Sequence, residues 1–174
     1  FGEFLPFYSS FKNLYDKNKI SSFTGTFTEG NNPSQVFDLV MREGTPEQEA
    51  IIYKIGPTIC FESLFTDLWV EKAKKGATFF VNISNDGWFG QSAAPYQHLR
   101  ALVFRAIETR KPILRSANTG ISAMIDATGK IRMKTGGNAQ TAVIFNFTFQ
   151  PKAPLSIYTL FGPVFALICL AAAV

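Results

Sequence analysis

The sequence predicts an α/β domain, and three observations predict it. Short apolar runs of strand length alternate with amphipathic helical patterns through the middle of the chain, then give way to strands. Hydrophobic residues make up 47% of the 174 and charged residues only 17%, a globular or membrane-associated balance that excludes a disordered chain. Finally, the run Gly56-Pro57-Thr58-Ile59-Cys60-Phe61-Glu62 ends a strand-like segment in a cysteine and opens a helix-like one. That is where a strand delivers a side chain to the rim of a sheet.

Charge and cysteine usage narrow the function classes. The formal charge is +4 and the seventeen Lys and Arg are scattered, so no basic stripe marks a nucleic-acid partner. A weak preference for anionic lipid is the most this charge supports. Eighteen phenylalanines point to a large apolar core or to lipid contact. Cys60 and Cys169 make no disulfide framework, and one histidine without paired cysteines excludes the usual zinc ligand set. No metal or cofactor is expected. A start at Phe1-Gly2-Glu3, with neither methionine nor signal peptide, reads as a fragment.

In chain order, Phe7, Phe11, Leu14 and Tyr15 fall at helical spacing, and 21–34 reads as loop with a short strand at 23–27. Strands are expected at 36–40 and 51–55, flanking a polar turn at 42–49, with a further strand ending at Cys60. Over 62–75, Leu64, Phe65, Leu68 and Trp69 line one side of a helix, and Gly76 stops it behind a basic last turn. A strand at 78–83, a loop at 84–94 and a helix at 96–109 follow. Strands are expected at 112–116 and 121–126, a turn at 126–129, and a half-buried strand at 141–149. Residues 155–174 are uncharged over twenty positions, about the ~20 a helix needs to cross a hydrocarbon core. The expectation is a transmembrane helix, with Pro163 as a tolerated kink. The alternative is a buried core helix.

Taken alone, Cys60 reads first as a small, inert buried hydrophobe, the usual state of a cysteine in an apolar strand, and only second as a nucleophile. A strand–Cys–helix layout favours the second reading, since a helix N-terminus favours a thiolate and the Phe61 amide can donate to an oxyanion. Glu62 adds a carboxylate within one turn. His98 is a base candidate for a Cys–His pair, or else a surface or capping histidine. The loop Ser84-Asn85-Asp86-Gly87-Trp88-Phe89-Gly90 has glycines for tight turns and aromatics for a pocket wall, or buries those aromatics as anchors. Asn118-Thr119-Gly120 lines the same pocket if its strand is a neighbour. Glu3 is either functional or simply exposed.

Together, Ile59-Cys60-Phe61-Glu62, Val81 through Gly90, Tyr96-Gln97-His98, Phe104 through Glu108 and Arg115 through Ser122 resemble the apolipoprotein N-acyltransferases, bacterial membrane enzymes with a nitrilase-like domain. The resemblance covers nearly the whole chain. It implies the second half of an α-β-β-α sandwich over 1–150, followed by a C-terminal transmembrane helix over 151–174, outside the cytoplasmic (inner) membrane. It implies a Glu–Lys–Cys triad with Cys60 as nucleophile and Glu3 and Glu62 as supporting carboxylates. Phe61, Trp88, Asn85 and Asn118 fall at substrate-binding positions. The implied partners are a phospholipid acyl donor, a diacylglyceryl-modified apolipoprotein acceptor and the membrane. The triad's Glu and Lys are expected upstream of Phe1, which makes this fragment inactive alone, and Phe61 stands where the family has tyrosine. The competing readings are a carbon–nitrogen hydrolase, a non-catalytic membrane-anchored domain of the same fold, and a Cys–His thiol hydrolase.

Overall fold

The structure is a computed structural model that describes residues 32, 34–41, 50–90, 92–137, 139–144 and 153–173. Six strands form one mixed sheet in sequential order: β1 (Phe37–Met41), β2 (Ile51–Ile59), β3 (Phe79–Asn85), β4 (Ile113–Asn118), β5 (Ala123–Ile125) and β6 (Ile131–Lys134). β2, β3 and β4 run parallel, while β1, β5 and β6 pair antiparallel at the two sides. Parallel neighbours need a crossover, and helices supply both. Helix α1 (Thr66–Lys74) links β2 to β3, and α2 (Ala94–Thr109) links β3 to β4.

Strand parity decides which side chains meet these helices. Along β3, Phe80, Asn82 and Ser84 point inward and are buried, whereas Ile83 on the other face is 59% exposed. Ile59, its register partner on β2, is 63% exposed. The core lies on the helix side, where Trp69, Ala73, Phe80, Leu102, Ala106 and Ile113 are fully buried. Trp69 sits against Phe80 with ring centroids 4.6 Å apart.

Several expectations change in detail. The two strands expected before Cys60 are one nine-residue strand. The helix expected over 62–75 is broken into a 3-10 turn, Cys60–Leu64, and α1, with Phe65 extended between them. The Glu62 carbonyl explains the break. It accepts from the Trp69 indole at 2.8 Å and from the Phe65 amide at 3.1 Å, so an i+4 bond has no acceptor there. Gly76 ends α1 at φ +92°, as its position predicted. Lys72 does not stay in the solvated last turn. It folds beneath β2, buried, and donates to the Pro57 carbonyl. Burial lowers its pKa, opposed by the Glu62 charge and aided by Lys75.

The C-terminal segment is not the single transmembrane helix expected. It is two short helices, α3 (Ile157–Phe161) and α4 (Val164–Ala172), and among the described residues no helix is long and apolar enough to cross a membrane. Gly162 takes φ 67° and Pro163 has no N–H to continue the helical ladder, so the chain turns there. The tail is tied to the end of α2. Ser156 and Thr159 hydroxyls donate to the Glu108 carbonyl, and Lys111 Nζ donates to the Ala153 carbonyl at 3.1 Å. Residues 141–144 carry no strand. The expected helix around Phe7–Tyr15, the strand at 23–27, the turn at 42–49 and the rest of the 141–149 strand lie outside the described residues.

Candidate active site

The carboxyl ends of the parallel strands bring the candidate residues together, the general location of ligand sites in open α/β sheets. Cys60 is the first residue after β2. Its thiol is free and half-buried, and its backbone takes φ 46°, a left-handed conformation uncommon for a side-chain-bearing residue. Backbone strain of this kind clusters at functional sites. The turn after Cys60 is a five-residue 3-10 turn, so the helix-dipole argument for a thiolate does not apply to it. Glu62 is near Cys60, but its carboxylate is committed: Oε2 accepts the Ile59 amide at 2.8 Å. It fixes the approach to the cysteine by holding the backbone on both sides of the corner, through Oε2 upstream and its own carbonyl on Trp69.

Beside this corner stand the ends of β3 and β4, with Asn85 paired in register to Asn118. The Asn118 loop is therefore a neighbour of the Asn85 loop, which the sequence left open. Asn85 Oδ1 accepts the Gly87 amide at 3.1 Å and the Thr119 hydroxyl at 3.5 Å, and the Asn118 carbonyl accepts the Asp86 amide at 3.1 Å. The exposed side chains of Asn85 and Asn118 leave these loops facing solvent, and Trp88 is 64% exposed. Glu3 lies outside the described residues.

Behind the loops runs a buried polar chain that sequence reasoning missed. The Arg115 guanidinium on β4 donates to Asn82 Oδ1 at 2.6 Å, Asp86 Oδ2 at 2.6 Å and the Ile121 carbonyl at 3.1 Å. Asn82 Nδ2 donates to the Thr58 hydroxyl at 3.1 Å, two residues before the cysteine. Asp86 Oδ1 accepts the Ser84 hydroxyl at 2.7 Å and contacts His98 Nδ1 at 3.3 Å. The chain thus links β2, β3, β4 and α2. The signal was parity: Asn82 and Arg115 fall on the same faces as the buried Phe80 and Ile113.

Burial pushes the Asp86 carboxyl up, but the bonds from His98 and Ser84 and the charge and bond of Arg115 outweigh it and hold it at about 2. Asp126, in the turn before β6, is likewise held at about 2 against its burial by Thr128, the Lys130 amide and Arg132. Both folded values lie below the ordinary carboxylate value, so both groups stabilise the fold above that value and lose the contribution as pH falls toward 2. For Asp86 the depression is worth about 2 kcal/mol. Urea midpoints recorded against pH should fall steeply between about pH 4 and 2; a flat profile there would contradict the ionised buried carboxylate. Close approach at the same carboxylate also explains Gly120, where an added Cβ would sit 2.2 Å from Asp86 Oδ2. Gly120→Ala should therefore cost about 1–3 kcal/mol by overpacking, read as a lowered urea midpoint.

His98, read from sequence as a base or a surface residue, is 5% exposed and is not on the surface. Its Nδ1 is spent on Asp86, and its ring lies 5.8 Å from Phe61 and 5.4 Å from Phe89 between centroids. Among the described residues no three His, Cys, Asp or Glu side chains gather as a metal cluster. A cavity of about 700 Å³ lies between the end of α2 and the tail, lined by Ile107, Ile157, Phe161, Val164 and Ile168 among others. It shares no residue with the Cys60 corner.

Comparison with known proteins identifies the family. The chain is 39% identical over 99% of its length to an apolipoprotein N-acyltransferase of Geobacter metallireducens, and 35% identical over 93% to one of Bdellovibrio bacteriovorus. It spans 30% and 28% of those two relatives. A crystal structure of a carbon-nitrogen hydrolase from Helicobacter pylori G27 superposes with a TM-score of 0.47 at 15% identity, over 51% of this chain and 38% of that one, a likeness too slight to carry weight. The carbon-nitrogen hydrolase family profile matches residues 7–149, most of the chain, with the Cys60 corner and both neighbouring loops inside it. The chain belongs to the carbon-nitrogen hydrolase family.

Proposed function

We propose that this chain carries the nucleophile of an N-acyltransferase site, in a protein that moves a fatty acyl chain from phospholipid to the amino terminus of diacylglyceryl-cysteine lipoproteins. The observation that carries the reading is Cys60, presented at a left-handed corner where β2 ends beside the β3 and β4 loops. The similarity to apolipoprotein N-acyltransferases supports the acyl-transfer class.

In the first step the Cys60 thiolate attacks the ester carbonyl of the phospholipid. The C–S bond forms, the C–O bond breaks, and the lysophospholipid alkoxide leaves with a proton from a general acid. In the second step the α-amine attacks the thioester. The C–N bond forms, the C–S bond breaks, the thiolate is regenerated and the amine proton passes to the base. In this reading the amide of Phe61, the residue after the nucleophile, donates to the tetrahedral oxyanion. Glu62 holds the corner, Asn85 and Asn118 form the polar floor, and Phe61 and Trp88 offer apolar surface to the acyl chain. Glu3 supports the site as a further carboxylate, and the acid–base Glu and the cationic Lys of the triad come from outside the described residues.

We further place 1–150 as part of a nitrilase-like sandwich domain and 151–174 as a membrane-associated segment, on the extracytoplasmic side of a bacterial inner membrane. Residues 153–173 have no charged side chain, and Ile157, Phe161, Ile168 and Leu170 are each more than half exposed, which suits contact with lipid.

The test uses the full-length protein containing this chain, in detergent with phospholipid, and reads intact mass before and after hydroxylamine. The expected result is an acyl-sized adduct on Cys60 that hydroxylamine removes and that Cys60→Ala lacks. No adduct in folded protein would overturn the acyltransferase reading and favour hydrolysis with a short-lived intermediate.

A further inference from the structure

His98 has one nitrogen accounted for and one that is not. Asp86 is ionised, so both its oxygens only accept, and the Nδ1 contact at 3.3 Å requires His98 to donate. A neutral imidazole with its proton on Nδ1 carries a lone pair on Nε2. That atom is buried and has no hydrogen-bond partner among the described residues, which is uncommon for a buried polar atom and calls for an explanation. It belongs to a ring held between Phe61, the residue after the nucleophile, and Phe89 of the aromatic loop.

We propose that His98 is a positioning residue for Cys60: Asp86 fixes its tautomer, its ring seats Phe61, and its Nε2 accepts one N–H or O–H donor that completes the site. The donor is either a bound water or the amine of the acyl acceptor, and both present the same chemistry to the lone pair. This inference rests on the acyl-transfer reading of Cys60. His98 is not the base of a Cys–His pair, since its orientation is set by Asp86 and its contact with the corner runs through an aromatic ring. The titratable and charged groups around it are Asp86 on the β3 loop, Arg115 behind it on β4, and Cys60 and Glu62 on the turn that packs against α2, Glu62 already holding the Ile59 amide.

The two amide substitutions separate the ring nitrogens. His98→Asn keeps an N–H at the Nδ1 position for Asp86 and removes the Nε2 acceptor. His98→Gln places a carbonyl oxygen near the Nε2 position. In the full-length protein with phospholipid and a lipopeptide acceptor, His98→Asn is expected to lower turnover about 100-fold, the scale of a slight misplacement of a reacting group. His98→Gln is expected to recover part of that loss. If the donor is water, thioester formation slows along with turnover. If the donor is the acceptor amine, the thioester forms at the normal rate and only transfer slows. A wild-type rate in His98→Asn, or equal losses in both variants that follow their melting temperatures, would overturn the proposal. Should His98→Asn fail to fold, His98→Gln decides: a folded His98→Gln with no residual turnover overturns it. A wild type that forms no thioester would instead overturn the acyl-transfer reading itself.

Discussion

Exchange of Cys60 for glycine is expected to abolish acyl transfer while leaving the full-length protein at least as stable as before. The activity loss, about 10⁴-fold or more, follows from removing the group that forms the thioester. The stability follows from the backbone. At φ 46° an L residue carries a steric cost of about 1–2 kcal/mol that glycine does not. Cys60→Ala loses the same nucleophile but keeps the strain. The two variants should therefore be equally inactive, with the glycine variant melting higher. Equal melting temperatures would mean that the corner is unstrained; residual turnover in either would mean that Cys60 is not the nucleophile.

Asp86→Ala is expected to have the largest effect on stability. It leaves the Arg115 guanidinium, fully buried, with one carboxylate fewer, and it frees the Ser84 hydroxyl and His98 Nδ1 at the same time. Breaking a buried ion pair from one side costs about 3–5 kcal/mol. Urea unfolding should show that loss as a lowered midpoint with little change in slope. The double variant Asp86→Ala, Arg115→Met should regain part of it, because the stranded charge is gone. A double variant no more stable than the single one would show that the charge is not what Asp86 contributes.

The order of elements was legible because apolar periodicity is local. Alternation along β3 and the three-four spacing of Leu99, Leu102, Val103 and Ala106 each declare an element within a few residues. The corner at Cys60 was legible for the same reason. The breaks were not. The end of the Cys60–Leu64 turn depends on a Trp69 indole that reaches back seven residues to a carbonyl, and no composition signal marks that bond. The Asn82–Arg115–Asp86–His98 chain joins residues up to 33 positions apart, so it exists only once β3 and β4 pair. Its members were visible singly as polar residues at core-facing parity. His98 was misplaced for want of the same information, since Asp86 is what draws it inward.

The way α2 is fastened at both ends has a consequence for how the protein is assembled. Near its first turn His98 touches Phe61; in its last turn the Glu108 carbonyl is gripped by Ser156 and Thr159. Ten residues of helix separate those two points, a rigid strut of about 15 Å. The strut acts as a ruler. Whatever the C-terminal segment is fastened to is kept at a set depth and angle from the Cys60 corner, and inserting one turn in α2 would displace the two by about 5 Å without altering either.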